Sequence, residues 1–144
     1  MLKTFSVLGL LVMVGGLYGL LAIKDLFSPS PLIIALQAAA FLLMIWARIT
    51  FGRRSFHAVA NPTGGGLVTN GPYRLIRHPI YASVCLFTWA GGAGHWSWIA
   101  GLCDGLVLAG AVMRILCEEK LVTARYPEYT AYAAKTWRMM PYIY

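Results

Sequence analysis

Charged side chains are scarce in this chain of 144 residues. Asp, Glu, Lys and Arg together make up 12% of it, about half the share of a typical soluble domain. Hydrophobic residues make up 59%, and the mean hydropathy is +0.66. This composition excludes an ordinary soluble domain and predicts an integral membrane protein. The length allows a single membrane domain over residues 1–144.

Cysteine is also sparse, and its arrangement excludes two common uses. Cys85, Cys103 and Cys117 lie in apolar stretches and show no CxxC spacing. They are typical of small buried hydrophobic residues, so neither a disulfide framework nor a metal site is predicted. The chain also lacks a GxGxxG or P-loop pattern, so its run of three glycines at 64–66 gives no specific support for phosphate binding. A flexible linker is the alternative interpretation of that run.

Acidic residues number only five against twelve basic ones, which gives a net charge of +7. Five of the basic residues fall between Arg48 and Arg77, in one predicted loop. Membrane topology alone accounts for such a cluster, because cytoplasmic loops carry an excess of Lys and Arg. We therefore expect no nucleic-acid partner.

Four apolar runs dominate the sequence. They predict an all-α, polytopic membrane helix bundle of about four transmembrane helices, at about 5–23, 32–48, 79–93 and 96–117. The first run lacks a clean cleavage site, so we expect a retained helix rather than a signal peptide. Its glycines at positions 15, 16 and 19 would let another helix approach closely.

The distribution of Lys and Arg predicts the orientation of the bundle. The loop 49–78 and the tail 120–144 are basic, whereas the two other connections carry almost no Lys or Arg. By the positive-inside rule, both termini and the long loop face the cytoplasm. We expect the tail to lie along the membrane surface as an amphipathic helix.

Two polar clusters interrupt the apolar pattern, and both fall on the predicted cytoplasmic side. The first is the sequence GPYRLIRHPIY over residues 71–81, where His78 directly precedes a predicted helix start and Tyr81 follows three residues later. A helix N-terminus flanked by Arg and His favours an anion such as a carboxylate. Binding of lipid headgroups by a basic interfacial cluster is the alternative.

The second cluster lies at the end of the fourth run. Arg114 and Glu118 are one helical turn apart, and Asp104 falls within about 40° of Glu118 on the same helix face. Asp104 is about 21 Å away along the axis, so we expect it to bond a neighbouring helix instead of sharing a site. An Arg114–Glu118 pair that only neutralises itself is the alternative to a functional pair.

Several of these stretches form a family pattern when taken together. They are LVTNGPYR over 67–74, RHPIY over 77–81, Arg114 with Glu118 and Glu119, YPEYTAY over 126–132, and Pro141. This combination resembles the isoprenylcysteine carboxyl methyltransferase and phospholipid methyltransferase superfamily, over roughly residues 65–141. One departure is Ser83, which stands where the family pattern usually has glycine.

The resemblance implies a cytoplasmic pocket for S-adenosyl-L-methionine. It assigns cofactor binding to a set of positions in two segments of the chain: Gly65, Gly66, Leu67, Val68, Tyr73, His78, Pro79, Ile80, Tyr81, Glu118 and Glu119. It assigns catalytic roles to Arg114 and Glu118, with Arg114 facing the methyl acceptor.

The implied function is methyl transfer to a lipid-like or hydrophobic acceptor, with the acceptor and membrane lipids as partners. A carboxylate, an amine or a thiol would each suit such a pocket. A sterol-reductase relative would need more spans than this chain provides. A small four-helix exporter would need a deep acid, for which only Asp104 is available. The remaining alternative is a non-catalytic relative that acts as a membrane assembly subunit.

Overall fold

The computed structural model describes residues 1–52 and 66–144. Five α-helices and one 3₁₀ turn follow one another along this part of the chain: α1 (Leu2–Ala22), α2 (Pro31–Phe51), the 3₁₀ turn (Gly71–Arg74), α3 (Pro79–Gly94), α4 (Trp98–Arg125) and α5 (Tyr129–Ala133). No β-strand is present among these residues, and extended pairing is limited to an isolated parallel bridge between Ile76 and Trp137. The predicted all-α fold is confirmed.

Three of the helices are long and apolar enough to cross a membrane. They are α1 and α2, with 21 residues each, and α4, with 28 residues. Large apolar side chains on them face outward, among them Leu11, Leu42 and Leu102. Together they form a membrane helix bundle, as the composition predicts.

The third predicted span, 79–93, is helical but short. α3 has 16 residues, which corresponds to about 24 Å against a hydrocarbon core of about 30 Å. Pro79 stands at its first position, and it ends just before the turn that leads into α4 at Trp98. Three helices of spanning length are therefore found where about four were predicted, with α3 packed between α2 and α4.

Glycines bring α1 and α4 into close contact. A Cβ atom at Gly16 would lie 2.5 Å from the carbonyl oxygen of Cys103, and one at Gly9 would lie 2.9 Å from that of Gly110. Gly19 faces the Cys103 side chain, whereas Gly15 faces open space. Two of the three glycines predicted to permit close packing therefore do so.

Buried polar side chains join the helices away from the first polar cluster. Gln37 of α2 donates from Nε2 to the carbonyl oxygens of Leu26 (2.7 Å) and Phe87 (3.2 Å). Asp104 is 9% exposed on α4, and its Oδ2 lies against Gly92 of α3. This buried side chain therefore packs against a neighbouring helix, and the hydrogen bond predicted for it stays a prediction.

The end of the chain differs from its prediction. α4 continues to Arg125 instead of ending near residue 117, because nothing in 118–125 breaks a helix. The tail, residues 126–144, holds only the five-residue helix α5, and the rest folds back as turns against the segment before α3. Met139 from this tail is buried beside Tyr81 in the apolar core. The prediction of an amphipathic helix along this tail is therefore wrong.

Candidate functional site

The start of α3, the second half of α4 and the tail meet at one end of the bundle. His78 is the N-cap residue of α3 and Pro79 is its first residue, and no side chain caps the helix. The first amides of a helix have no intrahelical partner. Within residues 1–52 and 66–144, the amides of Ile80 and Tyr81 have no acceptor, so they are available as donors at the positive end of α3.

Glu118 lies directly across from this helix start. One oxygen, Oε1, accepts a hydrogen bond from the Tyr81 hydroxyl and lies 3.5 Å from Nη2 of Arg114. The other, Oε2, lies 3.8 Å from Nδ1 of His78. The Glu118 side chain is 25% exposed, so its carboxylate can receive a ligand while its orientation is fixed by protein.

Arg114 is enclosed by protein on several sides. Its Nε donates to the Tyr81 hydroxyl at 2.7 Å, and its Nη1 donates to the carbonyl oxygen of Ser6 at 3.2 Å. The side chain is 6% exposed, and its guanidinium carbon lies 5.8 Å from the centre of the Tyr81 ring. Arg114 therefore joins α1 to the Tyr81–Glu118 pair.

Glu119 has a different set of partners from Glu118. Its Oε1 accepts from Nε of Arg77 at 2.9 Å and from the Tyr129 hydroxyl at 3.2 Å. Its Oε2 accepts from Nε of Arg138 at 3.0 Å, and Nε2 of His78 lies 3.4 Å from Oε1. The side chain is 12% exposed, so protein groups surround this carboxylate closely.

Backbone hydrogen bonds hold the tail against the segment before α3. The amide of Arg77 donates to the carbonyl of Trp137 (2.7 Å), and that of Trp137 donates to Leu75 (3.0 Å). The amide of His78 donates to Arg138 at 2.9 Å. The tail is therefore one wall of the site.

Three tyrosines near this wall are held neutral. Burial raises the pKa of Tyr132 to about 12, because a phenolate would lose its hydration there. Burial likewise raises the pKa values of Tyr73 and Tyr129 well above the ordinary range. The Tyr132 hydroxyl donates to the carbonyl of Tyr73 at 2.6 Å, so these residues serve as hydrogen-bonding groups.

The structure brings one part of the predicted site together. Around one point between α3 and α4 lie seven of the predicted residues: His78, Pro79, Ile80, Tyr81, Arg114, Glu118 and Glu119. Tyr73 is 4% exposed, and its ring packs against Phe51 with 5.4 Å between centroids, so it joins this group through Tyr132 of the tail.

The glycine-rich segment contributes less to the described geometry. Gly66, Leu67 and Val68 are partly or fully exposed and belong to the irregular chain that leads to the 3₁₀ turn. Gly66 has a φ of 80°, a conformation that glycine adopts readily. Gly65 lies outside the described residues.

The departure from the family pattern at Ser83 is accommodated locally. Ser83 is 2% exposed, and its hydroxyl donates to the carbonyl oxygen of Ile80 at 2.7 Å. The buried hydroxyl is thus satisfied within α3, beside the helix start that carries the site.

Sequence reasoning missed most of the residues that support this site. It gave no role to Ser6, Tyr129, Arg138 or Met139. It assigned Arg77 to anion binding at the helix start, whereas Arg77 bonds Glu119 and the carbonyl oxygen of Ala133. The sequence does hold one signal for some of them. Glu118 and Glu119 are adjacent in a chain with only five acidic residues, and partly buried carboxylates need cations or hydroxyls as partners, so Arg and Tyr residues elsewhere in the chain could have been expected beside them. The contacts with Ser6 and Met139 depend on tertiary packing and leave no such signal.

Among the described residues, no group of three or more His, Cys, Asp or Glu side chains is arranged to hold a metal ion.

Comparison with known proteins gives two partial matches to curated relatives. The chain is 38% identical over 78 residues to the nickel-cobalt-cadmium resistance protein NccN of Alcaligenes xylosoxydans xylosoxydans. It is 36% identical over 78 residues to the cobalt-zinc-cadmium resistance protein CzcN of Cupriavidus metallidurans. Each match covers 52% of this chain but only 36% and 35% of the respective relative. No solved structure matches.

The match to a family model is broader. The model of the phospholipid methyltransferase family covers residues 31–129. That range runs from the start of α2 through the whole of α4 and includes His78, Tyr81, Arg114 and both glutamates. This helix bundle, with its paired glutamates facing the start of α3, belongs to the phospholipid methyltransferase family.

Proposed function

We propose that this protein uses S-adenosyl-L-methionine to methylate a lipid-like or hydrophobic acceptor, in the manner of isoprenylcysteine carboxyl methyltransferases. One observation carries the proposal. The uncapped start of α3 and the partly exposed carboxylate of Glu118 face each other, with His78 between them. The family membership supports methyl transfer in general.

The residues present fit the charges of this cofactor. Its amino-acid carboxylate suits the free amides at the start of α3, where the helix dipole and His78 favour an anion. Its ammonium group or its ribose hydroxyls suit the Glu118 carboxylate, which accepts such donors well. We assign Gly65, Gly66, Leu67, Val68 and Tyr73 to the same pocket on the family resemblance.

When bound, the cofactor supplies a methyl group on a positively charged sulfur. Such a transfer needs alignment of the reacting atoms and exclusion of water more than it needs a strong acid or base. The residues around the site are suited to this task. Tyr81 is hydrogen-bonded to both Glu118 and Arg114, so the side of the pocket next to the acceptor is rigid.

The acceptor is proposed to reach the site from the bilayer. Three helices of spanning length present apolar side chains outward, and a lipid-borne acceptor can approach between such helices. We place the site on the cytoplasmic side, with both termini there, because Lys and Arg are concentrated in 49–78 and in the tail. The cofactor would then be drawn from the cytoplasm.

Calorimetry on purified, detergent-solubilised protein tests the cofactor part of the proposal. We expect saturable binding of S-adenosylmethionine and of its demethylated product, and its loss in His78→Ala. His95→Ala is the matched control, because His95 is exposed at the opposite end of α3 and should leave binding unchanged. A folded wild-type sample that binds neither compound would overturn the proposal.

Transfer of a labelled methyl group to a membrane lipid extract tests the acceptor part. We expect label in the organic phase with the wild-type protein and none with Glu118→Ala. Label found only in water-soluble material would contradict a lipid-like acceptor while leaving methyl transfer intact.

A further inference from the structure

We infer that Glu119 is a positioning residue that fixes the tail against the start of α3, and that it does not contact the cofactor. The inference rests on the proposed function for the identity of the pocket. Under this inference Glu118 binds the cofactor and Glu119 holds the tail, whereas the family resemblance assigns cofactor binding to both glutamates.

The contacts of Glu119 come from two separate parts of the chain. Arg77 and His78 lie just before α3, while Tyr129 and Arg138 belong to the tail. One carboxylate thus joins α4, the start of α3 and the tail. Two guanidinium groups and a hydroxyl occupy three of the about four acceptor sites of a carboxylate, and 12% of the side chain is exposed.

Arg77 strengthens the same junction. Besides its bond to Glu119, its Nη1 donates to the carbonyl oxygens of Ala133 (3.0 Å) and Thr136. The guanidinium therefore bonds the tail backbone while Glu119 holds it in place. Neutralising Glu119 would leave Arg77 and Arg138 close together without the carboxylate that separates their charges.

The tail in turn shapes the pocket. Its pairing with residues 75–78 sets the backbone of His78, and its Met139 packs into the core cluster that contains Tyr81 and Ile115. His78 and Tyr81 both contact Glu118. Displacement of the tail would consequently alter the surroundings of Glu118 without any change at Glu118 itself.

Hydrogen exchange of the full chain in detergent, followed by mass spectrometry, tests this division directly. In Glu119→Gln we expect faster exchange of the amides of Arg77, His78 and Trp137, whose acceptors lie across the junction. Affinity for S-adenosylmethionine should fall by about tenfold or more, as expected for lost hydrogen bonds to charged groups. In Glu118→Gln, affinity should fall while exchange in the tail stays as in the wild type.

Three further variants keep the test decisive. Arg138→Gln removes one tail contact at a side chain that is 34% exposed, so it should loosen the tail even if Glu119→Gln fails to fold. The double variant should exchange no faster than the faster single variant, because both changes act on one junction. Glu128→Gln, at an exposed glutamate, is the control and should change neither exchange nor affinity.

Loss of affinity in Glu119→Gln with normal tail exchange would overturn the inference and place Glu119 in contact with the cofactor. Unchanged exchange in both Glu119→Gln and Arg138→Gln would also overturn it. The exchange measurements need no cofactor. A wild-type protein that binds no S-adenosylmethionine would therefore contradict the proposed function, while the tail junction is judged independently.

Discussion

Tyr81 and Glu118 come from different helices, and the hydroxyl of the first donates a hydrogen bond to the carboxylate of the second. The same hydroxyl accepts from Arg114 of α4, one turn before Glu118. The tyrosine thus bridges a buried guanidinium and a partly exposed carboxylate that also contact each other directly, with 3.5 Å between Nη2 of Arg114 and Oε1 of Glu118. Both contacts use Oε1, and the other oxygen, Oε2, is directed towards His78.

The first prediction separates Glu118 from the second acid on the same helix face. Glu118→Ala should abolish binding of S-adenosylmethionine, because it removes the acceptor that faces the start of α3. Asp104→Asn should leave binding intact and lower thermal stability instead, since Asp104 is buried inside the bundle with its carboxylate against Gly92 of α3. Calorimetry and thermal unfolding in the same detergent measure both effects.

Equal loss of cofactor binding in the two variants would contradict the separation of the two acids. Unfolding temperature is the internal control here, because a Glu118→Ala sample that remains folded shows that lost binding is a local effect.

The second prediction concerns the contact between α1 and α4. Gly16→Ala should destabilise the protein by about 1–3 kcal/mol, as overpacking of a tight contact does, because the new Cβ would press on the Cys103 carbonyl and on Val107. Gly15→Ala is the matched control, since a Cβ there meets nothing within 4 Å. Thermal unfolding should show a lower midpoint temperature for Gly16→Ala and an unchanged one for Gly15→Ala. An equal fall of the midpoint in both variants would contradict the close packing at Gly16.

These contacts show what the sequence reveals and what it leaves hidden. The apolar runs were sufficient to predict α1, α2 and α4, because a bilayer requires long apolar helices. The RHPIY motif was sufficient to place His78 at a helix start. The apolar pattern predicts a span that ends at about residue 117, whereas the helix itself continues to Arg125, because charged residues can extend a helix beyond its apolar part.

The organisation of the site needed tertiary information. Glu118 and Glu119 are adjacent and chemically identical, and only the positions of Arg77, Arg138 and Tyr129 distinguish them. The fold-back of the tail likewise depends on long-range backbone pairing of Trp137 with residues 75–77. No local pattern in the tail encodes that pairing, so an amphipathic helix was the natural expectation.

The third prediction is a loss of stability at alkaline pH. Tyr132 keeps its proton up to about pH 12 in the folded protein, whereas a tyrosine in the unfolded chain loses it near 10.0. Because the folded pKa is raised, the contribution of Tyr132 to stability is complete below pH 10 and is lost as the pH rises towards 12. Denaturant unfolding at several pH values should show this decline.

Tyr132→Phe should make the alkaline decline shallower without removing it, because the variant has no proton to lose at this position while the pKa values of Tyr73 and Tyr129 stay raised. It should also cost about 0.5–1.5 kcal/mol at neutral pH, the usual net value of a hydrogen bond, here the one to the Tyr73 carbonyl. Tyr18→Phe, at a residue 70% exposed on α1, is the control. If stability falls with alkaline pH as steeply in Tyr132→Phe as in the wild type, the raised pKa of Tyr132 is not the cause of the decline.

The fourth prediction decides how Arg114 acts. Its guanidinium bonds the Ser6 carbonyl and the Tyr81 hydroxyl at once, so Arg114→Ala should lower both the stability of the protein and its affinity for S-adenosylmethionine. The loss of stability should be about 3 kcal/mol or more, since each of these two hydrogen bonds to a charged group contributes about 1.5–3 kcal/mol. Arg114→Lys keeps the charge but cannot reach both partners with a planar fork, and it should recover only part of the stability. An Arg114→Ala variant with normal stability and cofactor affinity but reduced methyl transfer would contradict this structural role. That outcome would instead favour the role implied by the family resemblance, in which Arg114 faces the acceptor.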